Sequence, residues 1–184
     1  MHRRWFCEER KNEKILGLLA VTSAASFGTA AVYFHATVGI DSMDEYGDPD
    51  NVVHLVDLGG GNPVTVNSVA WDVDLFADSP SYLSEISVAI MHTGLSGFTL
   101  TPGTGDNFPG SDTYTGGPDA LGLVLPDGFL RLEFFEWYDD YIDDWDGVWE
   151  DGGLTFDYTV VPEPASMIAL GVGFAAVMAR RRRK

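Results

Sequence analysis

Residues 64–76 read VTVNSVAWDVDLF. Val69, Trp71, Val73 and Leu75 recur at every second position, and polar or small residues stand between them. A period of two places one set of side chains on a single face of an extended chain, so this stretch is a strand covering an apolar core. The same rhythm recurs along the chain. Ile86, Val88 and Ile90 alternate with Ser87 and Ala89. Leu130, Leu132 and Phe134 alternate with Arg131, Glu133 and Phe135. Leu154, Phe156, Tyr158 and Val160 alternate with Thr155, Asp157 and Thr159. Shorter apolar runs lie at Val52–Leu58, Phe98–Leu100 and Leu121–Leu125. Turn clusters separate them: Gly59-Gly60-Gly61-Asn62-Pro63, Asp78-Ser79-Pro80, Gly116-Gly117-Pro118-Asp119, Pro126-Asp127-Gly128 and Asp151-Gly152-Gly153. No long stretch shows helical periodicity. Short strands joined by Gly/Pro turns predict an all-β body over 51–161, an antiparallel β-sandwich with a jelly roll as the close alternative.

The longest piece without a strand pattern is Thr101–Asp119, with five glycines and three prolines. A loop of that length is functional or mobile. Its Phe108 and Tyr114 could close as a lid or pin the loop to the body.

Charge divides the chain into three. Of 11 Lys and Arg, five precede residue 15, five close the chain, and Arg131 alone lies between. Residues 32–161 therefore hold 24 acids against one base, net −23. Such a surface excludes nucleic acid as a partner and disfavours anionic membranes. It tolerates cations and neutral glycans, and self-repulsion keeps it soluble.

The N-terminal end has export features. Met1–Lys14 is rich in cations, and Ile15–Ala31 is uncharged and rich in Leu, Ala, Ser and Gly. This is the pattern of a secretory signal, predicted over 1–31 as a signal helix, with cleavage after Ala30 or Ala31. Cys7 is the only cysteine and lies before the apolar stretch, so a mature body has no disulfide, thiolate nucleophile or cysteine metal site. Residues 32–50, carrying Asp41, Asp44, Glu45, Asp48 and Asp50, read as a flexible acidic leader.

The other end is the most specific part of the sequence. Pro162-Glu163-Pro164 is followed by an uncharged, largely apolar run, Ala165–Ala179, and by Arg180, Arg181, Arg182, Arg183 and Lys184. Proline fixes φ and lacks a backbone donor, so the triplet interrupts regular structure. The 15-residue run is shorter than the roughly 20 residues of a comfortable span, but arginines can snorkel. The expectation is a transmembrane helix at 165–179, with a cytoplasmic basic tail and the acidic body outside.

This segment, 162–184, resembles the PEP-CTERM sorting signal of exported bacterial proteins. The resemblance implies recognition and cleavage by an exosortase, a membrane enzyme similar to cysteine proteases. It also implies a producer with an exopolysaccharide envelope or biofilm matrix. It covers the closing segment only and says nothing of what the body binds.

Within the body, acids and aromatics crowd together. Asp139, Asp140, Asp143, Asp144 and Asp146 lie among Trp137, Tyr138, Tyr141, Trp145 and Trp149. Asp140, Asp143, Asp144 and Asp146 offer hard oxygens of the kind calcium takes, though their spacing fails the EF-hand pattern; a solvated acidic loop is the alternative. Trp137, Tyr141 and Trp145 could stack on sugar rings while nearby carboxylates accept sugar hydroxyls. Asp146-Gly147-Val148-Trp149 and Gly153–Tyr158 resemble the closing strands of galactose-binding-like and proprotein-convertase P-type sandwiches, which bears on the fold.

Catalysis has little support. Gly94-Leu95-Ser96-Gly97 is one residue short of a nucleophile elbow. No H-E-x-x-H or H-x-H pair suggests zinc. Glu133 and Glu136 would point to opposite faces of a strand, away from a shared glycosidic bond. The expected function is a non-catalytic protein of the cell surface or exopolysaccharide matrix, exported across the inner membrane as an anchored precursor. A calcium-dependent carbohydrate-binding module and a glycan-active enzyme are the alternatives.

Overall fold

The computed structural model describes residues 28–140, 144–161, 171–174, 178, 180 and 181. Those up to residue 161 form an all-β body with antiparallel sheets. In chain order the strands are β1 (Thr29–Ala36), β2 (Ile40–Ser42), β3 (Val52–Asp57), β4 (Val64–Ala77), β5 (Ile86–His92), β6 (Gly97–Leu100), β7 (Gly110–Leu125), β8 (Phe129–Glu136) and β9 (Gly147–Val160). One sheet runs β1-β9-β4-β7, with β2 also paired to β9; the other runs β3-β8-β5-β6. Val64, Val73 and Leu75 of β4, Val88 of β5, Leu132 and Phe134 of β8, and Trp149 and Phe156 of β9 belong to a single buried cluster, so the two sheets share one core. Burial of this kind contributes roughly 1.5–3 kcal/mol per large aliphatic or aromatic side chain.

The alternation in β4 has a break that the structure explains. Val64 and Val66 face the core at even positions, whereas Val69, Val73, Leu75 and Ala77 face it at odd ones. The register skips between Val66 and Ser68 against both neighbours, so Asn67 is an extra residue in a bulge. One inserted residue moves every later side chain to the other face. β9 does the same. Trp149 is buried at an odd position, Leu154 and Phe156 at even ones, and the pairing passes from Leu75↔Trp149 to Asp74↔Asp151 over an unpaired Glu150.

This corrects two turn assignments. Asp151-Gly152-Gly153 does not separate strands but lies within β9. Gly152 has φ +90°, and a Cβ there would stand 2.1 Å from the Asp72 carbonyl oxygen, so the bulged strand needs glycine at this point. Gly116-Gly117-Pro118-Asp119 likewise lies inside β7, so only the first part of Thr101–Asp119 is loop. There Tyr114 is partly buried against the core and donates its hydroxyl to Asp106 at 2.8 Å, while the Phe108 carbonyl accepts from Leu83 N. The side chain of Phe108 is exposed.

The acidic leader expected at 32–50 is also corrected, because this segment is part of the body. β1 pairs with β9 along its whole length, from Thr29↔Val160 to Ala36↔Gly153, and β2 pairs with Trp149–Gly147. Residues 44–51 then cross to the second sheet, where Asp44 O accepts from Glu136 N at 3.0 Å. Acid count misled the sequence reading here, since the apolar positions that pair are short and interrupted. A cut after Ala30 or Ala31 would fall within β1. The rest of the proposed signal, Met1–Phe27, lies outside the described residues.

Most of the expected membrane helix at 165–179 lies outside them too. Gly171–Phe174, Met178, Arg180 and Arg181 are helical and exposed. Among the described residues no helix is long and apolar enough to cross a membrane.

Candidate functional site

Two features stand out, and both lie around the end of β8. Inward positions on that strand are Leu130, Leu132 and Phe134, and the next is Glu136; Arg131, Glu133 and Phe135 face the other way. Residues 131–137 therefore supply both an outer groove and an inner carboxylate.

The outer groove holds about 200 Å³. Its floor is Ala89, Met91 and Phe135, which pack together apart from the main core. Tyr46 closes one side, with its ring edge-on to Phe135 at 5.5 Å and its hydroxyl 3.3 Å from Met91 Sδ. Trp137 meets Phe135 edge-on at 5.3 Å and is half exposed; Phe98, Thr99 and Leu95 complete the rim. Glu133 anchors the crossing segment beside this groove. Buried, it pairs with Arg131 through one oxygen and accepts Gly47 N at 2.7 Å and Asn51 Nδ2 at 3.2 Å through the other.

The expected sugar platform is only partly assembled here. Trp137 is in the groove, but Trp145 packs against Phe76 of β4, and Tyr141 lies outside the described residues. Tyr46, Phe98 and Phe135 take places the sequence reading did not assign. No local motif marks them, because they come from a crossing segment and two strands.

The inner carboxylate is Glu136. It has no solvent exposure, and neither oxygen has a hydrogen-bond partner. Burial pushes its pKa up to about 9, with Asp146, Glu85 and Asp140 adding repulsion. The Ser42 hydroxyl opposes this weakly; it is buried as well, without a contact that meets hydrogen-bond geometry. The backbone stitches these groups together: Trp137 N donates to Glu85 O at 3.2 Å, Asp146 N to Ser42 O at 3.0 Å, and Asp78 N to Asp146 O at 2.9 Å.

Of the expected calcium ligands, Asp140 and Asp146 meet here. Asp140 N donates to Asp146 Oδ2 at 2.7 Å, and Asp140 Oδ2 accepts from the Ser81 hydroxyl at 2.9 Å. Asp144 is exposed and accepts from Trp145 N, while Asp143 lies outside the described residues. Glu136 and Glu85 were missed as members of this group. Extending the Leu130-Leu132-Phe134 alternation by one step would have found Glu136 as a buried acid.

Two other clusters are present. Asp44, Asp48 and Asp50 bring one ligand atom each within 4.8 Å of one another, two of them at exposed residues. His35 Nε2 and His54 Nδ1 are 2.9 Å apart between β1 and β3, with the Tyr33 hydroxyl 3.2 Å from His35 Nδ1. Burial first, then His54, lowers the His35 pKa to about 4.

The sorting residues follow β9 directly. Val161 N donates to Pro63 O at 2.8 Å, which holds the strand end to the body. Pro162, Glu163, Pro164, Arg182 and Arg183 lie outside the described residues; Arg180 and Arg181 are helical and exposed. The described all-β body ends at Val160 and Val161, where the Pro162-Glu163-Pro164 segment begins in the sequence. The family model for the PEP-CTERM protein-sorting motif matches residues 160–183. The chain carries this closing motif, which supports a secreted protein of the PEP-CTERM type, sorted by exosortase. No curated protein matches the chain.

Proposed function

We propose that this protein is a non-catalytic component of the cell surface or exopolysaccharide matrix, released by exosortase from a membrane-anchored precursor. The observation that carries this is the pairing of the first strand with the last. Thr29 stands opposite Val160, so both ends of the body leave from one pole. The apolar stretch that precedes β1 in the sequence and the one at 165–179 are both joined to the body at this pole, which suits an exported body held at one membrane surface. The two-sheet order, β1-β9-β4-β7 and β3-β8-β5-β6, supports an eight-stranded jelly roll with β2 as an addition. Glu133 and Glu136 face opposite sides of β8, which argues against a shared carboxylate pair for glycoside cleavage.

Intact mass from an exosortase-containing host tests processing. The mature species should lack Arg180–Lys184, and Pro162→Ala with Pro164→Ala should leave the precursor uncut, because the helix can then extend over the cleavage region. A mature species that keeps the arginine tail would sink the processing claim.

A second reading rests on the groove. Exposed Trp137, Tyr46 and Phe98 around an apolar floor suit the C–H faces of a neutral polysaccharide, and the net −23 of the body repels polyanions. Soluble neutral glucans and galactans should change the tryptophan fluorescence of the full chain, and Trp137→Ala should weaken binding at least ~5-fold, since a lost stacking contact is worth about 1–3 kcal/mol by analogy with base stacking. Binding unaffected by Trp137→Ala would remove the groove as the site.

A further inference from the structure

We infer that the free edge of β1 is a self-association surface, on which a second copy of this chain adds its own β1 antiparallel, across a two-fold axis at Tyr33. In the order β1-β9-β4-β7 the first strand is terminal, and among the described residues no strand pairs with its outer side. Its eight residues, TAAVYFHA, include no Asp, Glu, Lys, Arg, Pro or Gly, and it runs along β9 without a register shift. Proteins usually blunt such edges with charges, prolines, bulges or short strands, and an edge left flat and uncharged is a template for another strand. The other three edges are blunted. β7 carries Asp112, Pro118 and Asp119, and its register against β4 is broken twice; β3 has six residues and ends in Asp57; β6 has four residues.

The backbone sets the register. Thr37 N donates to Gly152 O, so Thr37 turns its polar groups toward β9. That direction alternates along an antiparallel ladder, so Ala30, Val32, Phe34 and Ala36 turn theirs to the open side. Two-fold pairing must join members of this set and keep like faces together. An axis at Tyr33 uses all four: Val32 stands opposite Phe34 of the second copy, and Ala30 opposite Ala36. Val32 and Phe34 are also the exposed large apolar side chains of the strand, at 64% and 58%, so pairing covers both in each copy. Charge selects the same edge. At net −23 two bodies repel over most of their surface. Asp157, opposite Val32 on β9, would face its counterpart across three strand spacings, about 14 Å, which exceeds the Debye length of about 8 Å at physiological salt.

Antiparallel pairing also sets when association occurs, given the proposed release from the membrane, on which this step rests. Thr29 lies at the pole where the flanks join the body, and Ala36 lies at the other end of β1. A pair therefore holds its two poles about 25 Å apart and facing opposite ways. Two precursors anchored in one membrane have their poles on the same side and cannot pair, whereas released copies can. Val32 and Phe34 follow both expected signal cleavage points, so the central pairs survive either cut.

The test combines sedimentation equilibrium with cysteine cross-linking of the full chain in detergent, where copies orient freely. Wild type should show a monomer–dimer equilibrium. Val32→Pro removes an N–H that points away from β9, so the chain keeps its own ladder while the dimer loses one hydrogen bond per copy; its dissociation constant should rise at least ~5-fold. Val32→Lys, opposite Asp157 of its own chain, should melt like wild type and weaken the dimer likewise. Tyr33→Cys with Cys7→Ser should form a disulfide-linked dimer on mild oxidation, because Cα atoms at such a pair lie about 4.5 Å apart. In dilute vesicles the same precursor should not cross-link, whereas the species released by an exosortase-containing host should. A wild-type protein that stays monomeric to about 1 mM overturns the inference. So do a dimer unchanged by both Val32 variants, a dimer that Tyr33→Cys does not cross-link, and cross-linking of precursors within one vesicle. A host that releases no protein would instead remove the processing claim, with the dimer in detergent still standing.

Discussion

Trp149→Ala will lower stability by about 3–5 kcal/mol, the usual cost of emptying a large aromatic site in a packed core. Trp149 heads the largest fully buried side chains and meets Phe134 of the other sheet edge-on at 5.3 Å. It thus fills the space between the two sheets at the distal end of β9. Truncation removes the apolar transfer energy of the indole and leaves a cavity that strands from two sheets cannot easily close. Against a typical total of 5–15 kcal/mol, this is a large fraction of the stability. The midpoint of urea unfolding should fall at unchanged slope. Trp149→Phe should cost much less, because Nε1 is buried without a hydrogen-bond partner and its loss breaks no hydrogen bond. A loss under about 1 kcal/mol for the alanine variant would mean that the sheets do not close over this ring.

Arg131→Ala is expected to cost about 2–4 kcal/mol, near the lower part of the range for breaking a buried ion pair because the guanidinium is partly exposed. The damage comes from what remains. Glu133 stays buried with a negative charge, still bonded to Gly47 N and Asn51 Nδ2 but with no cation. Those bonds tie segment 44–51 to the outer face of β8, so the segment should also become sensitive to protease. Adding Glu133→Gln to Arg131→Ala should recover part of the loss, since the residual charge is then gone. An Arg131→Ala protein as stable as wild type, with segment 44–51 still protected, would show that Glu133 needs no counter-charge.

Much of this architecture is legible from local pattern. The alternation at 64–76 and 130–135 requires only that a strand with one buried face repeats every two residues. What it could not reveal is the parity switch at Asn67 and Glu150. A bulge is recognised by pairing with a neighbour, and the neighbour is distant in sequence. For the same reason Gly152 and Gly117, which read as turns, lie inside long strands. The residues of 32–50 read as solvated because their acids are numerous; their place in the body depends on backbone pairing with β9 and on Glu133, which composition does not encode.

The sequence by itself determined the all-β character, the acidic body with its single base, and the closing motif with its arginine tail. These follow from periodicity and from covalent order, and neither depends on long-range contacts. Only the tertiary structure decided which acids meet and which aromatics share a face. Glu85 and Glu136 are 51 positions apart, Tyr46 and Trp137 are 91 apart, and each pair is joined by strand pairing or by a chain crossing between sheets. The meeting of Thr29 with Val160 has the same origin: antiparallel pairing of first and last strands brings to one pole two ends that the sequence holds 131 positions apart.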